Sequence, residues 1–359
     1  MKRDHLLIIR FSALGDVAML VPIVWTLAQQ YPALRITVLS RPMMRPLFDD
    51  LAPNVNFMAA DLKQEYHGMK GLNALYRRLV AKQPTHIADM HSVLRSEYLR
   101  MRFNLGHYRV AHIDKHRSQR RLLVAPEPRK QLKPLPTAFQ NYQEVLSKLG
   151  FPIDLQAHHF SSIFPPEGGN LNLLPKAIGP KRQWEQWIGV APFAAHRGKV
   201  YPPERMRRTV QLLCQRYPQA RIFLFGRGHQ EEDIFGQWTH DMPQCLYAGQ
   251  HLENIYQELI LMSHLDVMLS MDSANQHLAS LTATPVVTVW GATHHYAGFM
   301  GWNQNESHIV ALNLPCRPCS IYGRKPCLRG DYACMEGITP EMIIERINQV
   351  LTKNQQAQQ

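Results

Sequence analysis

Leu6-Leu7-Ile8-Ile9 is a short unbroken apolar run closed by Arg10. It is too short for an amphipathic helix and lacks the alternation of a half-exposed strand, so it reads as a strand buried on both faces. A loop, Phe11–Asp16, follows. Val17–Gln30 is apolar on nearly every side, as a helix packed inside an α/β domain is, and Pro22 is compatible with a helix start. The strand signal recurs at Arg35–Ser40, Val55–Ala59, His86–Met90 and Tyr108–Ile113, with helical stretches around 43–51, 72–83 and 93–103 between. Strand alternating with helix predicts a mainly parallel sheet covered on both faces.

Residues 151–183 break this rhythm, because FPPEGGN and LPKAIGPKRQ concentrate Pro, Gly and polar residues. The pattern therefore predicts an N-terminal domain over 1–170, a linker over 171–183 and a second α/β domain over 184–338. In the latter, strands are expected at Trp187–Ala191, Arg221–Phe225, Cys245–Ala248, Asp266–Met271 and Pro285–Trp290. Helices are expected at Pro203–Tyr217, Glu231–His240, Leu252–His264 and Ser273–Thr282. A terminal helix occupies 339–359, with Thr339 as cap and Pro340 in its first turn. Two such domains facing each other leave a cleft at the carboxyl ends of their strands, where ligands bind.

Composition fits two folded domains: 359 residues, 45% of them apolar. No window approaches the ~18 consecutive apolar residues of a spanning helix. The N-terminal apolar run holds Arg10 and has no small-residue cleavage site, so it is a strand rather than a signal peptide. Six cysteines in a chain of this length do not suggest a secreted disulfide scaffold, which points to the cytoplasm. Lys+Arg 40 against Asp+Glu 28 gives a net charge of +12. That favours anionic partners: nucleotides, nucleic acid or an anionic membrane surface.

Five motifs could carry chemistry. In Phe11-Ser12-Ala13-Leu14-Gly15-Asp16, Gly15 permits a tight turn and Asp16 stands at a helix N-terminus, either as a plain capping carboxylate or as a general base. Ala191-Pro192-Phe193-Ala194-Ala195-His196-Arg197-Gly198-Lys199 follows a strand end and reads as an anion-holding or merely solvated basic loop. Phe225-Gly226-Arg227-Gly228-His229-Gln230-Glu231 invites a dinucleotide reading but has Glu231 where the fingerprint needs a small residue. Met271-Asp272-Ser273-Ala274-Asn275-Gln276-His277 joins a strand to a helix. Its small residues admit a ligand to the backbone, while Asp272 and Ser273 are also ordinary caps. Cys316, Cys319, Cys327 and Cys334 open with CxxC but lack a second one; they read as a structural zinc site, free buried thiols or a redox-sensitive lid.

In order and spacing these motifs resemble glycosyltransferase family 9, the ADP-heptose:lipopolysaccharide heptosyltransferases. The resemblance runs from Leu6 to about Ile347. It rests on LLIIRFSALGDVAMLVPIVWTL, APFAAHRGKVYPPERM, MDSANQHLAS, PVVTVWGAT and the late CRPC with EGITPEMI. It implies an α/β GT-B fold, two Rossmann-like domains facing a central cleft, with acceptor in the first and nucleotide-sugar in the second. It further implies an inverting transfer with no metal and no cofactor. Asp16 matches the family's catalytic base and Lys199 the lysine that neutralises the leaving diphosphate. Asp272, Ser273, Ala274 and His277 match the donor-binding turn. Ala195, His196, Arg227 and Glu231 are further donor-side candidates. Gly15, Arg95, Lys115 and Arg117 are acceptor-side candidates, in a basic region that also holds Asp89 and His91. The family usually has glycine where this chain has Ala274, and Lys-x-Trp-Pro where this chain has Lys-Val-Tyr-Pro.

The partners so implied are a nucleotide-sugar donor and an anionic glycolipid acceptor, met at the inner face of the inner membrane by peripheral contact. Two other classes stand against this. A GT-B nucleotide-sugar epimerase would turn over donor without acceptor. A basic nucleic-acid-binding protein would need a helix-turn-helix, RNP or finger motif, none of which occurs, so no nucleic-acid partner is expected.

Overall fold

The computed structural model describes residues 4–357, with side chains through Lys353. The chain forms two compact units: Met1–Lys115 with Pro136–Ile163, and His116–Leu135 with Phe164–Gln359.

The first unit is built on a parallel sheet. Its strands are His5–Ile9 (β1), Arg35–Ser40 (β2), Val55–Ala59 (β3), His86–Asp89 (β4) and Arg109–His112 (β5), in the order β3-β2-β1-β4-β5. β1 is buried at every position and pairs on both sides, Leu6 opposite Ile36 and His86, which is why its sequence is uninterrupted apolar. The chain steps outward from β1 to β3, then returns to β4 beside β1. The carboxyl ends of β1 and β4 are thus a topological switch point.

The helix read over Val17–Gln30 is two helices, Leu14–Ala18 (α1) and Leu20–Gln30 (α2). Pro22 explains the break: as the third residue of α2 its missing N–H falls in a first turn, where no bond is owed. The stretch 43–51 forms only a 3₁₀ helix, Pro42–Leu47, with Pro46 inside it. Gly68–Ala81 (α3) and Leu94–Leu105 (α4) lie side by side. Leu72, Leu75 and Leu79 of α3 and Leu99 and Phe103 of α4 fill one core with Leu7, Ile9 and Ile87 of the sheet.

Two further helices carried no signal in the pattern: Arg117–Leu123 (α5), and Ala138–Lys148 (α6), which is capped by Thr137 and packs on α2. α5 belongs to the second unit, so the first 170 residues are not one continuous domain. The strap His116–Leu135 is fastened to the second unit by Leu135 N–H donating to Tyr296 O at 2.8 Å and by Lys130 donating to Pro315 O at 2.8 Å.

The second unit carries Trp187–Ala191 (β6), Arg221–Leu224 (β7), Cys245–Tyr247 (β8), Val267–Met271 (β9), Val286–Val289 (β10) and Ile309–Val310 (β11), in the order β11-β10-β9-β6-β7-β8, all parallel. Its switch point lies between β6 and β9. Its helices are Pro203–Arg216 (α7), His229–Asp241 (α8), Ala248–His251 (α9), Ile255–Met262 (α10), Ala274–Ser280 (α11), Ala333–Glu336 (α12) and Pro340–Ala357 (α13). The single helix expected over Leu252–His264 starts only at Ile255, because Asn254 caps it by accepting from Gln257 N–H at 3.1 Å. Ile343, Ile347 and Val350 of α13 join Met206, Val210 and Leu213 of α7 in one core.

Candidate functional site

At the carboxyl ends of β1 and β4 the first unit gathers Asp16, Arg10, His91 and Asp89. Asp16 is the third residue of α1; the N-cap position is Ala13. Its carboxylate reaches back to accept from Ala13 N–H at 3.2 Å and pairs with Arg10 at 2.8 Å, with 28% of the side chain exposed. Asp16 thus bonds the N-cap backbone from a place three residues past the N-cap, and its carboxylate is partly exposed. Gly15 is a buried helical residue of α1, not the turn residue expected. Arg10 is 9% exposed, donates also to Met90 O, and lies under the Tyr142 ring.

His91 is buried against this pair. Phe11 N–H donates to His91 Nδ1 at 3.4 Å, so the other nitrogen carries the proton and faces Ser12 Oγ, also at 3.4 Å. Burial first, then the neighbouring Arg10 and Lys115, lower its pKa to about 3, so it is a neutral imidazole near neutral pH. Asp89, fully buried, accepts from His91 N–H, Ser92 N–H and Arg100, and braces the loop after β4. Lys115 donates to Ser92 O at 2.7 Å, close to the cluster. Of the other acceptor candidates, Arg95 is exposed in the first turn of α4, and Arg117 is exposed in α5, which belongs to the second unit.

The second unit assembles its groups at the ends of β6, β9 and β10. Lys199 closes a one-turn 3₁₀ helix, Arg197–Lys199, and pairs with Asp272 at 2.8 Å, the two side chains 16% and 4% exposed. Asp272 also accepts from Thr293 Oγ1 at 2.8 Å and from Gln276 at 3.1 Å. The carboxylate is thus engaged at both oxygens, and it holds the lysine in turn. The Lys199 stem passes over Gly323, where a Cβ would stand 2.7 Å from Lys199 Cγ, and Gly323 has φ +72°; both facts exclude a side chain there.

The remaining donor-side candidates lie in the segments that follow β6, β7 and β9. Ser273 sits at the N-cap position of α11 without a side-chain cap bond and lies 3.3 Å from Ser270 Oγ; Ala274 opens the helix and His277 is buried in it. Ala195 is exposed, and His196 accepts from Arg324 at 3.1 Å. Burial, then Arg324 and Lys199, lower the His196 pKa. After β7, Arg227 is bound to Glu258 of α10 at 2.7 Å and to Leu252 O. Glu231 tucks its carboxylate where a Cβ on Gly226 would be 2.1 Å away, and burial raises its pKa. The last position of FGRGHQE, where the fingerprint needs its third small residue, is thus filled by a packed carboxyl, which accounts for the failed dinucleotide fingerprint.

Cys316, Cys319, Cys327 and Cys334 do converge on one cavity of about 20 Å³. Among the described residues, however, no three Cys, His, Asp or Glu side chains form a set that could hold a metal ion. Burial pushes the Cys334 thiol up to about 11 and raises Cys319 as well, so both are protonated thiols near neutral pH. Three contributors carried no role in the sequence reading. Gln276 and Thr293 stood in quoted motifs, but only the fold brings Thr293, after β10, to Asp272 after β9; Arg324 has no local signal at all.

The sequence model described as Glycosyltransferase family 9 (heptosyltransferase) matches residues 72–327. Lipopolysaccharide heptosyltransferase 1 of Campylobacter coli is 25% identical over 116 residues, 32% of this chain, and the matched part spans 34% of that protein's length. A family 9 glycosyltransferase of Veillonella parvula has a similar structure, with TM-score 0.72 at 16% identity over 98% of both chains. The E. coli heptosyltransferase WaaC, solved with ADP, is similar at TM-score 0.65 and 16% identity, over 96% of this chain and 99% of that one. These likenesses carry the fold: the two Rossmann-like units are those of the GT-B class.

Proposed function

We propose, since this chain belongs to glycosyltransferase family 9, the heptosyltransferases, that it moves a sugar from a nucleotide-sugar, ADP-heptose in first place, onto a lipopolysaccharide-type glycolipid acceptor. The observation that carries this reading is Asp16: a carboxylate locked by Arg10 and Ala13 N–H at the end of β1, with an open side. In the proposed reaction Asp16 takes the proton of an acceptor hydroxyl. The freed oxygen attacks the anomeric carbon and the bond from that carbon to the diphosphate breaks, inverting the centre. A positioned base contributes about 10²–10⁴ in rate. His91, neutral beside Asp16, holds the loop without adding a competing charge.

On the donor side Lys199 meets the departing diphosphate. One of its three N–H bonds is engaged by Asp272, and the others are free in direction to reach phosphate oxygen. Asp272, held by Thr293 and Gln276, stands as the group that aims Lys199 rather than as a metal ligand. Ala195, His196, Arg227, Glu231, Ser273, Ala274 and His277 are assigned to the donor pocket; Gly15 and Lys115 to the acceptor side. The relative solved with ADP supports an adenine nucleotide. In this reading the chain works at the cytoplasmic face of a membrane, in peripheral contact.

The test is a panel of nucleotide-sugars incubated with the full chain and a lipopolysaccharide-core acceptor, with mass detection of released nucleoside diphosphate and of the glycosylated acceptor. Acceptor-dependent release with ADP-heptose is expected. Interconversion of the donor without acceptor would assign the chain to the epimerases instead.

A further inference from the structure

The first unit carries a surface that the chemistry at Asp16 leaves unused. The inner sides of α3 and α4 are apolar as required, but their outer sides are not the polar surface that water favours. Leu94 is 86% exposed, Leu105 70%, Met69 59% and Met101 47%. At 100° per residue, Leu94, Met101 and Leu105 fall within about 40° of one another and form one stripe along α4. Tyr98 donates to Asn73 at 2.7 Å, and the Arg102 guanidinium lies over the Tyr76 ring at 4.4 Å. These contacts run the two helices side by side in the same direction. Met69, one turn before Asn73, therefore lies at the same end as Leu94, one turn before Tyr98.

The charges on the same two helices have almost one sign. Lys70, Arg77, Arg78, Arg95, Arg100 and Arg102 stand against Glu97 on these helices; Arg78 is paired with Glu65 and Arg100 with Asp89 and Glu97, and Lys70, Arg77, Arg95 and Arg102 are the cations left to set the sign of the face. Four large apolar side chains left in water are a cost without a partner, and a basic surround selects what that partner is. Nucleic acid would use the cations and leave the apolar stripe idle. A second copy of the same face would bring like charges together. An anionic bilayer answers both features, phosphates for the cations and the headgroup–acyl boundary for the stripe.

We propose that the outer face of α3 and α4 docks on an anionic lipid bilayer, with Met69, Leu94, Met101 and Leu105 entering the interface and Lys70 and Arg77 meeting lipid phosphates. This deepens the reading of a glycolipid acceptor and rests on it, since an enzyme of that kind must work where the lipid is anchored.

The experiment is co-sedimentation of the full chain with vesicles of phosphatidylglycerol and phosphatidylcholine, and with phosphatidylcholine vesicles alone, no acceptor being present. Binding to the anionic vesicles is expected. The triple variant Leu94→Gln, Met101→Gln, Leu105→Gln should weaken it by about tenfold or more, and Lys70→Gln with Arg77→Gln should abolish the preference for anionic lipid. All five side chains are exposed, so the melting temperatures should match the parent's. Failure of the parent chain to sediment with anionic vesicles, or a triple variant that binds as the parent does, overturns the proposal. So does a triple variant that turns a dimer into a monomer in sedimentation velocity, which would give the face to a second copy. Vesicle binding without sugar transfer to any acceptor sinks the transferase reading and leaves the surface standing; transfer without vesicle binding does the reverse.

Discussion

Removing the Lys199 ammonium separates two roles that the geometry gives it. Asp272 is 4% exposed at its side chain, and Lys199 is its cationic partner at 2.8 Å. Lys199→Ala leaves a buried carboxylate with only the hydroxyl of Thr293 and the amide of Gln276. Breaking one side of a buried pair costs about 3–5 kcal/mol, and the two surviving hydrogen bonds argue for the lower end. At about 2–4 °C per kcal/mol for a unit of this size, the second unit should melt roughly 6–12 °C lower. Catalysis should suffer separately. A lost charge-assisted contact to the leaving diphosphate is worth about 1.5–3 kcal/mol, roughly ten- to a hundredfold in turnover.

The double variant Lys199→Ala, Asp272→Asn pulls the two effects apart. The introduced side-chain amide is neutral and can still accept from Thr293, so most of the melting temperature should return, while turnover should stay low because the ammonium is still missing. Thermal melts and nucleoside diphosphate release from the same preparations measure both. If the single variant melts like the parent, Asp272 is not anchored by Lys199. If the double variant regains activity along with stability, Lys199 is a structural partner and the leaving group is met by something else.

Three other expectations follow from the same geometry. Asp16→Asn should lower turnover by about 10²–10⁴ with donor affinity nearly intact; retention of half the activity rules Asp16 out as the base. His91 is held neutral, its folded pKa lowered from 6.5 to about 3. The unfolded chain therefore takes up a proton that the folded one refuses as pH falls below 6.5. The stability that His91 supports is full above that pH and is lost on the way down towards 3. Between pH 7 and 5 this amounts to about 2 kcal/mol, so His91→Gln should show that much less acid sensitivity in urea titrations; identical pH slopes refute the assignment. Transfer should survive EDTA, because both oxygens of Asp272 are already engaged by Lys199, Thr293 and Gln276; activity lost on chelation and restored by Mg²⁺ would overturn a metal-free step.

What the chain's pattern discloses about this architecture depends on distance along the sequence. β1 and β6 are legible because strands buried on both faces must be apolar throughout, and Asp16 and Lys199 are legible because each follows such a strand closely. The hidden features are those settled by tertiary pairing. Nothing in the local sequence of His116–Leu135 says that it fastens to the second unit, since its anchors, Tyr296 and Pro315, lie far along the chain. Thr293 acquires its role only because β10 packs beside β9, which brings its hydroxyl to Asp272. The four cysteines show the converse limit: their spacing suggests a ligand set, and the fold does bring them around one cavity, yet their thiols are not gathered to hold an ion. Spacing along a chain constrains which groups can meet, whereas which way each sulfur points is decided by the loop and by α12, which carries Cys334 into the apolar core. The candidate chemistry of this protein accordingly divides in the same way. The groups that would touch substrate stand one loop beyond a buried strand, and the groups that aim them, Arg10 and Ala13 excepted, come from beyond a neighbouring strand's end.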